Sequence, residues 1–364
     1  MNKIYLPFLM SIALATTQAS ADCDESVKTL KTQHAPGLSL CEIQDRFKSA
    51  ISKLKAKGIE NPTQIGNVHA PRFISIDDWR SYLAKNGDSK FAAWKVYDPS
   101  PDTWGNWVKG VLFSQQAELT QILLTGTSND LLDWLLKLHI LEVDKILDAE
   151  HVGRWRTYVI EYIPVHGVRE AYTVDEIDRI NHAPYFSSKT GEPLVIYKPV
   201  VCKDLPATAQ KIDELRFKLN SSDPKEPVKA CGDLTMAPQE EVMDQMQKWA
   251  AYFLNGYRML VQNPSQIDIL SFVSHAQQWF VLVHPFTDGN GRTSRLMMDV
   301  VFTRFGLPSI VLDDMNRDFF ASADEWAEAV GKGMLNTVQA LESCAQNPAR
   351  LGCEVISSTP PPKD

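Results

Sequence analysis

His284, Asp288, Arg292 and Arg295 stand together in one short stretch, HPFTDGNGRTSR. Each type suggests a task. A histidine can take up a proton near neutral pH, and His284 is read as a general base for an incoming hydroxyl. An arginine presents a permanently charged planar fork, and two of them three residues apart on a helix share a face. Arg292 and Arg295 therefore suit two phosphates of a polyphosphate chain. Asp288 would repel a phosphate, so it is read as a ligand of a hard cation such as Mg2+ that bridges phosphates. Gly289 and Gly291 let the backbone turn sharply and come close to a ligand. Asn290, between them, offers an amide donor and tolerates a left-handed conformation. Phe286 is the expected apolar anchor of the loop, and Pro285 restricts the backbone beside it. The sum is a site for a polyphosphate, a cation and a general base.

Two helices must position this loop. DILSFVSHAQQWFVL is expected to be helical up to about Val283, and RTSRLMMDVVFTRFG from about Gly291 to Gly306, before Pro308. The first N–H groups of the second helix are unpaired within it and lie at its positive dipole end, a natural anion site. Upstream, APQEEVMDQMQKWAAYFLNGY reads as a helix with Val242, Met246, Trp249 and Phe253 on one buried face and Gly256 near its end. NDLLDWLLKLHILEVDKIL reads as an apolar helix capped by Asn129 or Asp130, with His139 as a packed core residue. IQDRFKSAISKLKAKG places Ile43, Phe47, Ile51 and Leu54 on one face and stops at Gly58. SIDDWRSYLAKNG and PATAQKIDELRFKLN are two more expected helices, and YDPSPDTWGN a turn-rich connector. LVIYKPVV is the clearest strand.

The rest of the chain sets boundaries. Its 364 residues suffice for a large core, and a net charge of -8 argues against a general nucleic-acid binder. Residues 1–21 carry Lys3, an apolar stretch and Ala19-Ser20-Ala21, the pattern of a cleavable signal peptide. That implies export without stable membrane insertion. The destination is the periplasm, the medium or a host cell. The six cysteines all follow that segment. In an oxidising compartment they are expected as disulfides, and short loops close at the least entropy cost, which favours Cys23–Cys41, Cys202–Cys231 and Cys344–Cys353. The proline-rich end reads as a disordered tail.

HPFTDGNGRTSR resembles the signature of the Fic family, HPFx[DE]GNGRxxR, at every fixed position. LLKLHILEVDKILDAEHVGRWRT is similar to the helices and Gly-x-[Tyr/Trp]-Arg element that precede the family's active site. APQEEVMDQMQKWAAYF and RLMMDVVFTRFGLPSIVL resemble the helices on either side of the loop. The resemblance runs from Val111 to Leu341, with a poor match over residues 158–230. It implies a mainly α fold: a Fic-like helical core with a small β-hairpin flap, for which LVIYKPVV is the candidate, and a small N-terminal helical region. With the readings above, the chain divides into residues 1–21 as signal, 22–110 as an N-terminal region, 111–345 as the Fic domain that the resemblance implies, and 346–364 as tail. The implied activity is transfer of AMP from ATP, with Mg2+, to a Ser, Thr or Tyr hydroxyl of a target protein; the signal segment, joined to the need for ATP, points to a secreted bacterial effector. His284 would be the base, Asp288 the metal ligand, and Gly289, Asn290, Gly291, Arg292 and Arg295 the phosphate contacts. Doc-type kinases of the superfamily carry a lysine where this chain has Gly291-Arg292. Another donor, such as UTP or CDP-choline, and a nucleotide-binding module without transfer are the alternatives. Many members also carry an inhibitory helix, [Ser/Thr]xxxGlu[Gly/Asn]. SQQAEL offers Ser114 and Glu118 for that role but has Leu119 in the last position.

Overall fold

The computed structural model describes residues 23–65, 68, 101–158, 161–162, 172–173, 185–186, 191, 194, 196–199, 229–230, 232–313, 317–319, 321–350, 352–353 and 355. The signal segment, the helices expected at 75–87 and 206–220, the Cys202–Cys231 pair and residues 356–364 of the expected tail lie outside them, whereas residues 346–350, 352, 353 and 355 are described and Cys353 is buried.

Helices dominate, as expected. They are α1 (Glu25–Lys28), α2 (Leu40–Ala56), α3 (Pro101–Ser114), α4 (Ala117–Thr125), α5 (Ser128–Val143), α6 (Val242–Gln262), α7 (Ile269–Val283), α8 (Asn290–Arg304) and α9 (Ala323–Gln346). Local chemistry starts several of them. Ser39 with Glu42, Thr127 with Asp130 and Ser322 with Glu325 form reciprocal capping boxes for α2, α5 and α9. The cap of α5 is thus Thr127, two residues before Asn129 and three before Asp130, the expected caps, and Asp130 closes the box from inside. The second half of the expected connector is helical too, because Pro101 at the first position of α3 gives up an N–H that a helix start leaves unpaired anyway.

The apolar faces meet in one large core. Val242, Met246, Trp249 and Phe253 of α6 are all buried. Gly256 does not end α6, which runs on to Gln262. It is buried where α7 crosses: a Cβ there would lie 2.1 Å from the Phe272 ring. α7 packs between α6, α8 and α9, and α2 lies along α9. Residues of the N-terminal region, among them Val27, Leu40 and Ile43, share this core, and α3 runs through the boundary drawn at residue 110. Cys23–Cys41 and Cys344–Cys353 are disulfides, as short-loop closure suggested.

The strands are few and short. β1 (Glu161–Tyr162), β2 (Tyr172–Thr173), β3 (Ile196–Pro199), β4 (Lys229–Ala230) and β5 (Gly232–Thr235) form two small antiparallel sheets, ordered β1-β5-β3 and β2-β4. β3 lies within LVIYKPVV and pairs with β5, Ile196 opposite Thr235. Its partner is distant in sequence, so it is not one arm of a tight hairpin. Among the described residues no helix is long and apolar enough to cross a membrane.

Candidate active site

α7 ends by reversing its chain at His284. That residue is left-handed, with φ 51° and ψ 60°, a conformation that costs a non-glycine residue about 1–3 kcal/mol. Neighbouring bonds hold it there. Its N–H donates to Phe280 O at 3.0 Å, and its carbonyl accepts Arg156 Nε at 2.6 Å. Nδ1 of the ring lies 3.1 Å from Val281 O. A carbonyl can only accept, so Nδ1 carries the hydrogen and Nε2 is the basic nitrogen of the neutral ring. The ring is half-buried yet set deep among protein atoms. Burial pulls its pKa down to about 4, Arg156 adds to this, and the Val281 bond and Asp288 oppose it.

Phe286 is fully buried, as an anchor should be. It stacks on His139 at 3.9 Å and on Trp155 at 5.0 Å. His139 also holds the loop by hydrogen bonds: Nε2 lies 3.1 Å from Asp288 O, and Nδ1 accepts the Gly153 N–H at 3.1 Å. Burial pulls its pKa to about 4 as well, so it is neutral and structural.

Asn290 departs from its expected task. Its side chain is buried and bridges the loop, Oδ1 accepting Phe286 N at 2.8 Å and Nδ2 donating to Phe286 O at 2.9 Å. It therefore offers a ligand its backbone N–H only. Nor is it left-handed: the positive φ belongs to Gly289, at 83°, and Asn290 opens α8. No side chain caps this helix end. The amides of its first turn thus keep the anion-binding character expected of them.

The charged groups gather at that end. Asp288 is half-exposed; Oδ1 accepts Gly289 N at 2.6 Å and Oδ2 pairs with Arg292 Nη2 at 3.2 Å. Arg292 also donates to Glu142 O at 3.3 Å. The Arg295 fork folds back over Gly291, where a Cβ would meet Nη1 at 2.9 Å. A side chain at Gly291 would displace the tip of that guanidinium. Among the described residues no three His, Cys, Asp or Glu converge as a metal cage. A lone exposed carboxylate beside an anion site fits Mg2+, which takes one or two protein carboxylates and fills its shell with phosphate and water. Two grooves lie away from this helix end, one around Tyr252 and His275 and one around Thr303 and Arg304.

Two residues of the site escaped sequence reasoning. Arg156 is buried and donates to four carbonyls: His284, Tyr158 at 2.7 Å, Val283 at 3.0 Å and Ala237. Its own N–H donates to Pro285 O at 2.8 Å. Burial pulls its pKa to about 10, so it stays charged at neutral pH. The Gly-x-Trp-Arg element marked the residue but not this clamp. Glu142 lies buried under the start of α8, its Oε2 accepting the Thr293 hydroxyl. Leu135, Leu138, His139 and Glu142 share a helical spacing, so periodicity alone placed that carboxylate on the buried face.

Glu118 does not reach this group. It pairs with Lys137 of α5 at 2.8 Å and is half-exposed. Ser114 ends α3 and bonds back to Val111 O at 2.7 Å, while Glu118 lies in the first turn of α4, so the two are not on one helix. α4 reaches α8 at its opposite end, where Thr120 accepts Arg304 at 2.8 Å.

Residues 209–302 match the profile of the Fic/DOC family. The match is to a segment of the chain. It contains the His284 loop, α6, α7 and most of α8. Protein adenylyltransferase fic-1 of Caenorhabditis elegans is 38% identical over 92 residues, 25% of this chain and 17% of that protein. Protein adenylyltransferase Fic of Nematostella vectensis is 36% identical over 59 residues, 16% of this chain and 14% of that one. The chain therefore spans less than a fifth of the length of these curated relatives. Among solved structures, a Fic-1 fragment from Caenorhabditis elegans covers 85% of this chain and 72% of its own, at 15% identity and a TM-score of 0.41. A Fic-domain signaling protein from Bacteroides thetaiotaomicron covers 85% and 93%, at 16% identity and a TM-score of 0.37.

Proposed function

We propose that this protein transfers AMP from ATP to a Ser, Thr or Tyr hydroxyl of a target protein. The observation that carries the reading is the junction of α7 and α8. One loop presents a basic ring nitrogen at one end and, at the other, an uncapped helix start with two guanidinium groups. The relatives named protein adenylyltransferases support the same reaction.

His284 Nε2 would take the proton of the target hydroxyl. The hydroxyl oxygen would then bond to the α-phosphorus as pyrophosphate leaves. Charge develops on the leaving β- and γ-phosphates, where the α8 amides, Arg292 and Arg295 would hold it. Asp288 would hold Mg2+ through lone pairs not used by Gly289 and Arg292, and the metal would supply neutralising charge to the phosphates. Two disulfides support passage through an oxidising compartment. ATP is scarce there, so the reading that joins export to ATP is a bacterial effector acting inside a host cell.

Incubation with Mg2+ and either ATP, UTP or CDP-choline, together with a host-cell lysate, tests the donor. Peptide mass spectrometry is expected to find AMP on hydroxyl side chains with ATP alone. UMP or phosphocholine adducts would reassign the donor. Nucleotide binding with no adduct from any donor would make the protein a binding module.

Glu118 is expected to be silent in this reaction. An exposed pair with Lys137 is screened by solvent and weak, and it involves neither arginine. Glu118→Gly should leave the rate of auto-modification within about twofold of the parent. A gain of several-fold would restore the inhibitory role.

A further inference from the structure

We propose that Glu142 is a positioning residue of the phosphate cradle and that it takes up a proton when a polyphosphate binds. The proposal rests on the nucleotide-binding reading above and deepens it.

The geometry is unusual for a carboxylate. Glu142 is 1% exposed. Oε2 accepts the Thr293 hydroxyl, but Oε1 has no hydrogen-bond partner. Gly110 of α3 closes one side: a Cβ there would lie 3.4 Å from Glu142 Cγ and 3.5 Å from Oε1. The residue's backbone carbonyl receives Arg292. One residue thus touches α8 twice, by its side chain at Thr293 and by its carbonyl at Arg292. Both contacts fall within the first turns of the helix that would receive the phosphates.

The surrounding charges decide its state. From α8, Arg292 and Arg295 favour the ionised form, and from the loop Asp288 opposes it. Lys109 of α3 is occupied by Asp144 and Asn106. On its own helix, Lys137 is occupied by Glu118 of α4, and His139 is neutral. Asp244 and Lys248 of α6 pair with each other in the open. Burial is the largest influence and raises the pKa to about 7. Besides the Thr293 bond, the carboxylate therefore depends on the two guanidiniums to keep its charge near neutral pH.

A bound polyphosphate takes that help away. Its oxygens engage Arg292 and Arg295 and add negative charge nearby, so protonated Glu142 is favoured in the complex. Linkage is reciprocal: a ligand that promotes protonation binds more tightly where the group is already protonated. Affinity should be highest below about pH 7 and fall as pH rises past it.

The test is calorimetric titration with magnesium and α,β-methylene-ATP, whose α–β bond cannot be cleaved, in buffers of differing ionisation enthalpy. At pH 7.5 the parent should take up about half a proton or more beyond what Glu142→Gln takes up. Between pH 6.5 and 8.5 its Kd should rise about tenfold more than that of Glu142→Gln. Thr293→Val provides a second variant. It removes a donor that favours the carboxylate, so the midpoint of the Kd profile should move to higher pH. Equal uptake and parallel profiles in parent and Glu142→Gln would overturn the proposal while leaving nucleotide binding intact. So would an unmoved midpoint in Thr293→Val, which decides the matter if the glutamine variant does not fold. A parent that binds no nucleotide would overturn the cradle reading itself, and this inference with it.

Discussion

His284→Ala should lower AMP transfer by roughly 10²- to 10⁴-fold and leave the Kd for ATP within about twofold of the parent. The ring would act on the incoming hydroxyl, whereas the α8 amides and the two guanidiniums would hold the phosphates. The backbone at this position is left-handed, which alanine resents. His284→Asn, more tolerant of that conformation, separates loss of the base from loss of the turn, and both variants should be equally inactive. The pH profile carries a second signature. A ring with a pKa of about 4 is already neutral at pH 5. The acid limb of the free enzyme's rate should therefore fall near 4, and not near the usual histidine value of about 6.5. Stability follows the opposite convention. The unfolded chain binds the proton more readily than the folded one. His284 therefore costs stability as pH falls below about 6.5, and no further cost accrues below about 4.

Arg156→Ala should unfold more easily by about 3 kcal/mol or more and should also lose transfer. The guanidinium donates to carbonyls of Val283 and Ala237 that are buried, and to those of His284 and Tyr158 at their margin. Each buried carbonyl left without a donor costs about 1–3 kcal/mol. The loss of transfer has a separate cause, since the bond to the His284 carbonyl helps to hold the left-handed turn. Arg156→Lys keeps the charge but not the fork, so it can serve only part of the set. Its melting temperature should fall between those of the parent and Arg156→Ala. Chemical denaturation and the transfer assay, run on both variants, check the two effects separately. An Arg156→Ala protein as stable and as active as the parent would remove the clamp from the account.

The loop from His284 to Arg295 was legible because its chemistry is local. Proton acceptor, carboxylate, glycines and arginines are neighbours in sequence, and the flanking periodicity named the helices that carry them. The apolar faces of α2 and α6 were legible for the same reason. What was missed depends on pairs far apart in the chain. Arg156 meets His284 across 128 positions, and Glu142 meets Thr293 across 151. No short window holds both partners. Asn290 shows a subtler limit. Its type allowed a ligand donor or a loop bridge, and only the position of Phe286 decides for the bridge. Glu118 shows the reverse error, in which a correct spacing suggested a partner. The break at Gln115 and Gln116 turns the glutamate toward Lys137 instead.

Transfer of label from ATP marked at the α-phosphorus, compared with ATP marked at the γ-phosphorus, tests the central claim most directly. The reacting phosphorus would lie within reach of His284 and the leaving phosphates at the start of α8. Protein targets should therefore become labelled from α-marked ATP, with release of pyrophosphate, and the His284→Ala variant should label nothing. Label arriving from the γ-position would mean that the nucleotide lies the other way round and that the protein is a kinase, which contradicts the account.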